Sequence, residues 1–189
     1  MRQPRTGDMN TPAAQLSVLA GEGFACVKIQ GRANFTSSID FDAAITRLRA
    51  LGFSQFVLEL SECSLMDSTF LGVLAGHGLK LLQCAHDPDC PCVELRNANP
   101  RIAELLENIG VLHLFKTSEG ALAAADSLEA CAPPPVPASR AEVARTCLQA
   151  HEMLMAINPG NVARFKDVTR FLAEDLARHQ DEKPEPTAS

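Results

Sequence analysis

An acidic residue and a hydroxyl residue stand together where an apolar strand gives way to a helix. The apolar run 55–60 is followed by Asp67 and Ser68, and a helical pattern begins at Ser68. A hydroxyl in the first turn of a helix suits phosphorylation, because a phosphate there meets unpaired backbone N–H groups and the positive end of the helix dipole. The pattern predicts an exposed phosphate acceptor at Ser68, with Thr69 as a weaker second acceptor.

Helix capping is the alternative interpretation of the same two residues. Asp and Ser are among the commonest N-terminal caps, and Asp67 and Ser68 could do no more than bind free N–H groups of the first turn. Phosphorylation would instead place about 1.5 to 2 negative charges beside Asp67. A protein docked on the neutral hydroxyl would then meet repulsion and uncompensated desolvation. The two interpretations differ in whether a partner docks at this helix start.

The surrounding elements alternate between strands and helices. In chain order, the patterns predict a hairpin of strands 16–20 and 24–30, a helix at 37–51, a buried central strand at 55–60, a helix from about 68 to 84, a strand at 92–96, a helix from Pro100 to the residue before Gly110, an edge strand at 112–115 and a small-residue helix from Ser118 to about 129. This alternation predicts an α/β domain with a mixed sheet of about four to five strands flanked by helices.

Proline-rich and aperiodic segments divide the chain. Residues 1–14 lack periodicity and predict a flexible start, and the domain is expected over 15–130. Residues 131–138 are rich in proline and predict a stiff linker. Apolar spacing over 139–180 predicts a C-terminal helical hairpin, broken near Pro159, and 181–189 a disordered tail. The hairpin is expected to pack within the chain, to form a homodimer through its helices or to bind a partner helix.

Charge and composition exclude several classes of function. The net charge is −6, Trp and Tyr are absent, and Lys and Arg do not cluster, which argues against a nucleic-acid partner. No apolar run has the about 20 residues needed to span a membrane, and the first residues do not resemble a signal peptide. We therefore predict a cytoplasmic protein without membrane insertion, whose seven cysteines are reduced thiols.

Thiols and imidazoles offer little evidence for metal binding or catalysis. Cys84, His86, Cys90 and Cys92 form the only metal-like cluster in the sequence, but their spacing matches no zinc pattern that we can quote. The remaining histidines are isolated in sequence and are expected to have ordinary structural or surface roles: His77, His113, His151 and His179. No paired acid and base, phosphate-binding loop or activated nucleophile stands out. We predict no metal, no cofactor and no enzymatic activity.

Three segments in order resemble the STAS domain, the fold of bacterial anti-sigma factor antagonists, over about residues 15–130. The segments are 58–74, in which Met66-Asp67-Ser68 precedes Leu71-Gly72; 93–107, with the turn Asn97-Ala98-Asn99-Pro100; and 108–115, followed by Ser118. The family's common Asp-Ser-Ser-Gly reads here as Asp67-Ser68-Thr69-Phe70. Phe70 in place of a small residue could alter kinase docking. The helical hairpin lies outside the resemblance.

The resemblance implies a signalling module that regulates transcription by partner switching. Its unphosphorylated form would bind a serine kinase/anti-sigma factor-like protein, and phosphorylation of Ser68 by that kinase would break the complex. The residues expected at the docking surface are Asp67, Ser68, Thr69 and Phe70, with Arg32, Asn34 and Phe35 from the loop after the second strand. Phe35 could equally belong to the core. The alternative function is a constitutive scaffold or accessory subunit of a signalling or transport assembly, without phosphorylation.

Overall fold

The computed structural model describes residues 13–21, 23–84, 93–121 and 131–181, with the side chains of 84 and 179–181 left aside. Several predictions fall largely outside these ranges. They are the flexible start, the cysteine cluster at 84–92, the helix from Ser118 to about 129 and the disordered tail. Ser118 itself ends a strand.

A mixed β-sheet forms the centre of the fold. Within the described residues its strands are β1 (Gln15–Ala20), β2 (Phe24–Ala33), β3 (Gln55–Glu59), β4 (Cys63–Met66), β5 (Val93–Arg96) and β6 (Lys116–Ser118). The order is β1-β2-β3-β5-β6, and β4 pairs with the far end of β2. β1 runs antiparallel to β2, whereas every other pairing is parallel. The parallel strands are joined through helices, as parallel pairing requires.

The helices are α1 (Phe35–Ala50), α2 (Ser68–Cys84), α3 (Pro100–Ile109), α4 (Arg140–Ile157) and α5 (Val162–Asp181). Local signals fix several of their starts. Asn34 and Ser139 cap α1 and α4 in reciprocal capping boxes, and Asn99 caps α3 with Pro100 in its first turn. Helices packed with a mixed sheet confirm the predicted α/β class.

Two parts of the sheet differ from the prediction. The edge strand predicted at 112–115 is wrong: Leu112–Leu114 forms a short 3-10 turn, and the strand follows at Lys116–Ser118. Backbone N–H groups of Leu114 and Phe115 bond locally to carbonyls three residues earlier, so they are not offered to a neighbouring strand. β4 was not predicted at all. It is four residues long and pairs with β2 across an irregularity between Gly31 and Arg32.

The C-terminal hairpin packs on the domain in the same chain. Leu154 of α4 and Phe165 of α5 belong to the same buried cluster as Leu58 of β3. At the hairpin's turn, Asn158 and Asn161 both donate side-chain N–H groups to the carbonyl of Ile109, at 3.0 and 2.9 Å. The structure therefore shows packing within the chain, and a homodimer through these helices stays a prediction.

The proline-rich segment before α4 is attached to the domain at two points. Cys131 pairs with Val18 of β1 through two backbone hydrogen bonds of 2.8 and 2.9 Å. The N–H of Val136 donates to Asp40 Oδ1 at 2.8 Å. The segment thus carries the chain from the edge strand to the start of α4. Among the described residues, no helix combines the length and apolar character needed to cross a membrane.

Candidate functional site

The junction between β4 and α2 is built around the carboxylate of Asp67. Its Oδ1 accepts the N–H of Phe70 at 2.9 Å, which caps α2. Its Oδ2 accepts the N–H of Phe35 at 2.8 Å, at the first residue of α1. The Asp67 N–H in turn donates to the carbonyl of Ala33 at 2.9 Å. Asp67 therefore joins the starts of two helices, and both its oxygens bind backbone.

Loss of this carboxylate is expected to destabilise the protein. Asp67→Ala should lower the free energy of unfolding by about 0.5–2 kcal/mol, the usual effect of removing a helix cap. Urea denaturation followed by circular dichroism measures it. Asp167→Ala is the matched control, because Asp167 forms only an exposed ion pair with Arg170 on α5. Equal stability of the two variants would contradict the structural role of Asp67.

Ser68 is the first residue of α2, but its hydroxyl is not freely exposed. The side chain is half-buried, and its Oγ lies 2.9 Å from Nε2 of His151 on α4. Nδ1 of His151 lies 2.7 Å from the Cys147 carbonyl, which can only accept. In the neutral imidazole Nδ1 therefore carries the proton, and Nε2 accepts the Ser68 hydroxyl hydrogen. The predicted exposure of this hydroxyl is corrected: helix α4 covers it.

The next positions of α2 also contact α4. Thr69 is buried and its Oγ1 donates to the Cys147 Sγ at 3.6 Å. A Cβ atom placed on Gly72 would lie 2.3 Å from the carbonyl oxygen of Ala150, so the two helix backbones touch directly. Burial raises the pKa of the Cys147 thiol, and the Asp67 charge adds to this effect. Thr69 is thus not presented as a phosphate acceptor in this conformation.

The other predicted docking residues separate into surface and interior positions. Arg32 is exposed, and Phe35 is 46% exposed beside Asp67, so Phe35 is not a core residue. Asn34 caps α1, where its Oδ1 accepts backbone N–H groups. Phe70 is 0% exposed and packs on Phe41 with ring centroids 4.9 Å apart. Phe70 belongs to the core, which corrects its assignment to the docking surface.

An open groove of about 490 Å³ lies between α1, α2 and α4. Its walls include the Asp42–His77 pair, whose Oδ1 and Nε2 are 2.8 Å apart, and Lys80 and Glu152. The hydrogen bond from His77 holds the pKa of the Asp42 carboxyl below its usual range. Because α4 supplies half of the lining, the groove exists only while the hairpin is docked.

Metal ligands are not assembled in the described part of the chain, since no three residues among its His, Cys, Asp and Glu side chains are placed to hold an ion. The side chains of the metal-like cluster at 84–92, for which no metal was predicted, lie outside it. The sequence did not place Cys147, Ala150 or His151 at the site. The spacing of Cys147 and Ala150 indicated an apolar face of α4, and His151 was expected to have an ordinary role, but nothing local indicated which surface that face covers.

Comparisons with solved structures relate part of this chain to anti-sigma factor antagonists. The unphosphorylated form of the anti-sigma factor antagonist SpoIIAA is 17% identical, with 58% of this chain and 90% of that chain covered and a TM-score of 0.46. A candidate antagonist from Thermotoga maritima is 14% identical, with coverages of 58% and 89% and a TM-score of 0.48. The phosphorylated form of SpoIIAA, described as a Bacillus cell fate determinant, is 18% identical, with coverages of 56% and 91% and a TM-score of 0.44. No family model and no curated protein matches the sequence.

Proposed function

We propose that this chain is a non-catalytic protein-binding module of the anti-sigma factor antagonist type, which changes partners through phosphorylation of Ser68. The observation that carries the proposal is the position of Ser68 as the first residue of α2, directly after the capping Asp67. Exposed Arg32, near the end of β2, and exposed Phe35, at the start of α1, lie on the elements that Asp67 joins to this position. This surface around the start of α2 is suited to a protein partner whose affinity depends on the charge at residue 68.

A phosphate at Ser68 would act through local electrostatics. The positive end of the α2 dipole stabilises negative charge at this position. The same charge stands next to the Asp67 carboxylate, and a partner packed against the neutral side chains would be repelled. The proposed partner is a serine kinase/anti-sigma factor-like protein. It would supply the ATP, the magnesium ion and the catalytic base, because this chain needs to offer only the acceptor hydroxyl.

The Ser68–His151 pair has the distance of a nucleophile and its base, but its surroundings do not favour catalysis. His151 is buried, and its ring edge packs on Phe165 with centroids 5.0 Å apart. Neither Ser68 nor His151 lines the open groove beside α2. Helix α4 lies over the hydroxyl on the side of His151. We therefore assign the pair to helix packing rather than to hydrolysis.

Phosphosite mapping tests the proposal. The purified full chain is incubated with ATP and an extract of the native cells, and we expect phosphate on Ser68 that is absent from Ser68→Ala and retained in Ser64→Ala. Ser64 is the matched control, because it is an exposed serine on the adjoining strand β4. In pull-downs, Ser68→Asp should lose the partner that Ser68→Ala keeps. Equal binding by Ser68→Asp and Ser68→Ala would refute the switch.

A constitutive scaffold is the second candidate, favoured by one observation. The Ser68 hydroxyl already has a hydrogen-bond partner under α4, as a purely structural residue would. In that case the intact mass of the protein should be the same under all growth conditions, with one partner co-purifying throughout. A mass increase of one phosphate under any condition would exclude this alternative.

A further inference from the structure

Helix α4 contacts the first three turns of α2 at three successive positions. Thr69 faces Cys147, Gly72 faces Ala150, and Gly76 faces Met153. Because the residue numbers rise together on both helices, α4 runs in the same direction as α2 along this surface. The absence of a side chain at Gly72 allows the two backbones to touch. Thr69, Gly72 and Gly76 of α2 therefore form a surface on which a helix can pack closely.

We infer that the first three turns of α2 are a helix-binding surface, which α4 occupies in competition with the partner protein. The surface would accept from the partner a helix with a small residue opposite Gly72 and a hydrogen-bond acceptor opposite Ser68, as Ala150 and His151 provide in α4. The identity of the outside partner rests on the proposed function. The surface itself and its occupation by α4 rest on the contacts alone.

Phosphorylation and docking of α4 exclude each other at this surface. Transfer of the γ-phosphoryl group of ATP forms a bond from phosphorus to Ser68 Oγ, breaks the bond to the β-phosphate oxygen, and releases ADP and the hydroxyl proton. The 2.9 Å between Ser68 Oγ and His151 Nε2 leaves no space for that group. A kinase reaches the hydroxyl only after α4 moves away, and α4 cannot return to the phosphorylated site.

The buried contacts of α4 are concentrated in its second half. Its buried residues are Ala150, His151 and Leu154, and the turns before Ala150 are exposed or half-buried. The segment before α4 is rich in proline, which disfavours extension of the helix toward the N-terminus. Displacement of α4 therefore exposes Leu154, which belongs to the main buried cluster, and the partner's helix has to replace that contact.

Ala150→Glu is the variant that tests the inference directly. Ala150 is 3% exposed with its backbone against Gly72, so a long charged side chain expels α4 without changing α2. The control is Ala163→Glu, which makes the same change at an exposed position on α5. The readout is alkylation of the native Cys147 by N-ethylmaleimide, quantified by peptide mass spectrometry. We expect labelling at least about tenfold faster in Ala150→Glu than in the control.

The other cysteines report whether the variant has unfolded. Cys26 and Cys63 are buried in the domain and should stay unlabelled, whereas exposed Cys131 gives the reference rate. Unchanged labelling of Cys147 would overturn the inference. If Cys26 and Cys63 also become reactive, Ala150→Glu has unfolded the domain, and the disulfide variant Thr69→Cys described below replaces it.

A peptide in trans tests whether the surface binds a helix. A fluorescent peptide of residues 139–158 should bind the full-length Ala150→Glu chain at least about tenfold more tightly than the native chain, where α4 is in place. The same peptide carrying the Ala150→Glu change should bind neither chain. Equal binding of the native peptide to both chains, or to neither, would overturn the inference whatever the fate of Ser68.

A reversible lock separates the inference from the proposed function. Thr69→Cys places a second thiol beside Cys147. Thr69 Oγ1 and Cys147 Sγ are 3.6 Å apart, so the two sulfur atoms could form a disulfide after a small shift. With ATP and native-cell extract, we expect phosphate on Ser68 in the reduced chain and not in the oxidised chain. Phosphate in both forms overturns the inference and leaves the proposed function standing. Phosphate in neither form, nor in Ala150→Glu, refutes the proposed function, and the peptide experiment then decides the inference.

Discussion

Phe70→Ala is expected to lower the free energy of unfolding by about 3–5 kcal/mol, the range measured for emptying a buried aromatic position. Phe70 is 0% exposed in the first turn of α2. Its ring packs on Phe41 of α1 with centroids 4.9 Å apart and belongs to the main core. Truncation leaves a cavity between α1 and α2 that the close-packed surroundings fill only in part. Guanidinium denaturation of the full chain measures the loss.

Phe171→Ala is the control for this experiment. Phe171 is 59% exposed on α5, so its truncation should change stability by no more than about 0.5 kcal/mol. A loss at Phe70 below about 1 kcal/mol would show that the position tolerates a small residue and that its role is not in the core. The stability of Phe70→Ala has to be measured before its partner binding, because a weakened α2 would itself reduce binding.

Gly72→Ala and Gly76→Ala are expected to change stability in opposite directions, although they lie four residues apart on one helix. Helix propensity alone favours both substitutions by about 1 kcal/mol. At Gly72 the new Cβ would stand 2.3 Å from the Ala150 carbonyl oxygen, which is backbone and cannot rotate away. Overpacking of this kind costs about 1–3 kcal/mol, so we expect Gly72→Ala to be destabilising and to displace α4.

At Gly76 the new Cβ meets only the flexible side chain of Met153, at 3.6 Å. This is ordinary van der Waals contact, and the propensity gain should appear as increased stability. Thermal denaturation and the alkylation rate of Cys147 measure both variants. Faster alkylation in Gly76→Ala, or stabilisation by Gly72→Ala, would contradict the backbone contact between α2 and α4.

Local signals were sufficient for most of the fold. The alternating runs around the first turn predicted the β1–β2 hairpin, and the caps Asn99 and Ser139 marked the starts of α3 and α4. They failed where the pattern was short. Leu112–Leu114 alternates as a strand does, but its backbone bonds stay within the turn. β4 has four residues and depends on pairing with the end of β2, which is a tertiary contact.

The candidate site was predictable in position but not in environment. The strand end, Asp67 and the helix start are neighbours in sequence, so they located Ser68 at the first turn of α2. Its contact with His151 joins residues 83 positions apart. Periodicity shows that a helix has an apolar face and does not show what covers that face. The family resemblance placed Phe70 at the docking surface, beside the phosphate acceptor, whereas the helical repeat places it with Leu74 in the core.

The attachment of the proline-rich segment affects how much partner protein is needed to displace α4. Because Cys131 is paired with β1 and Val136 with Asp40, the tether that holds α4 is short. A short tether gives the attached helix an effective concentration in the millimolar range. A free protein at micromolar levels must therefore bind with much higher intrinsic affinity, or arrive in excess, before it displaces α4. For the competition inferred above, the short tether therefore sets a minimum partner concentration or affinity.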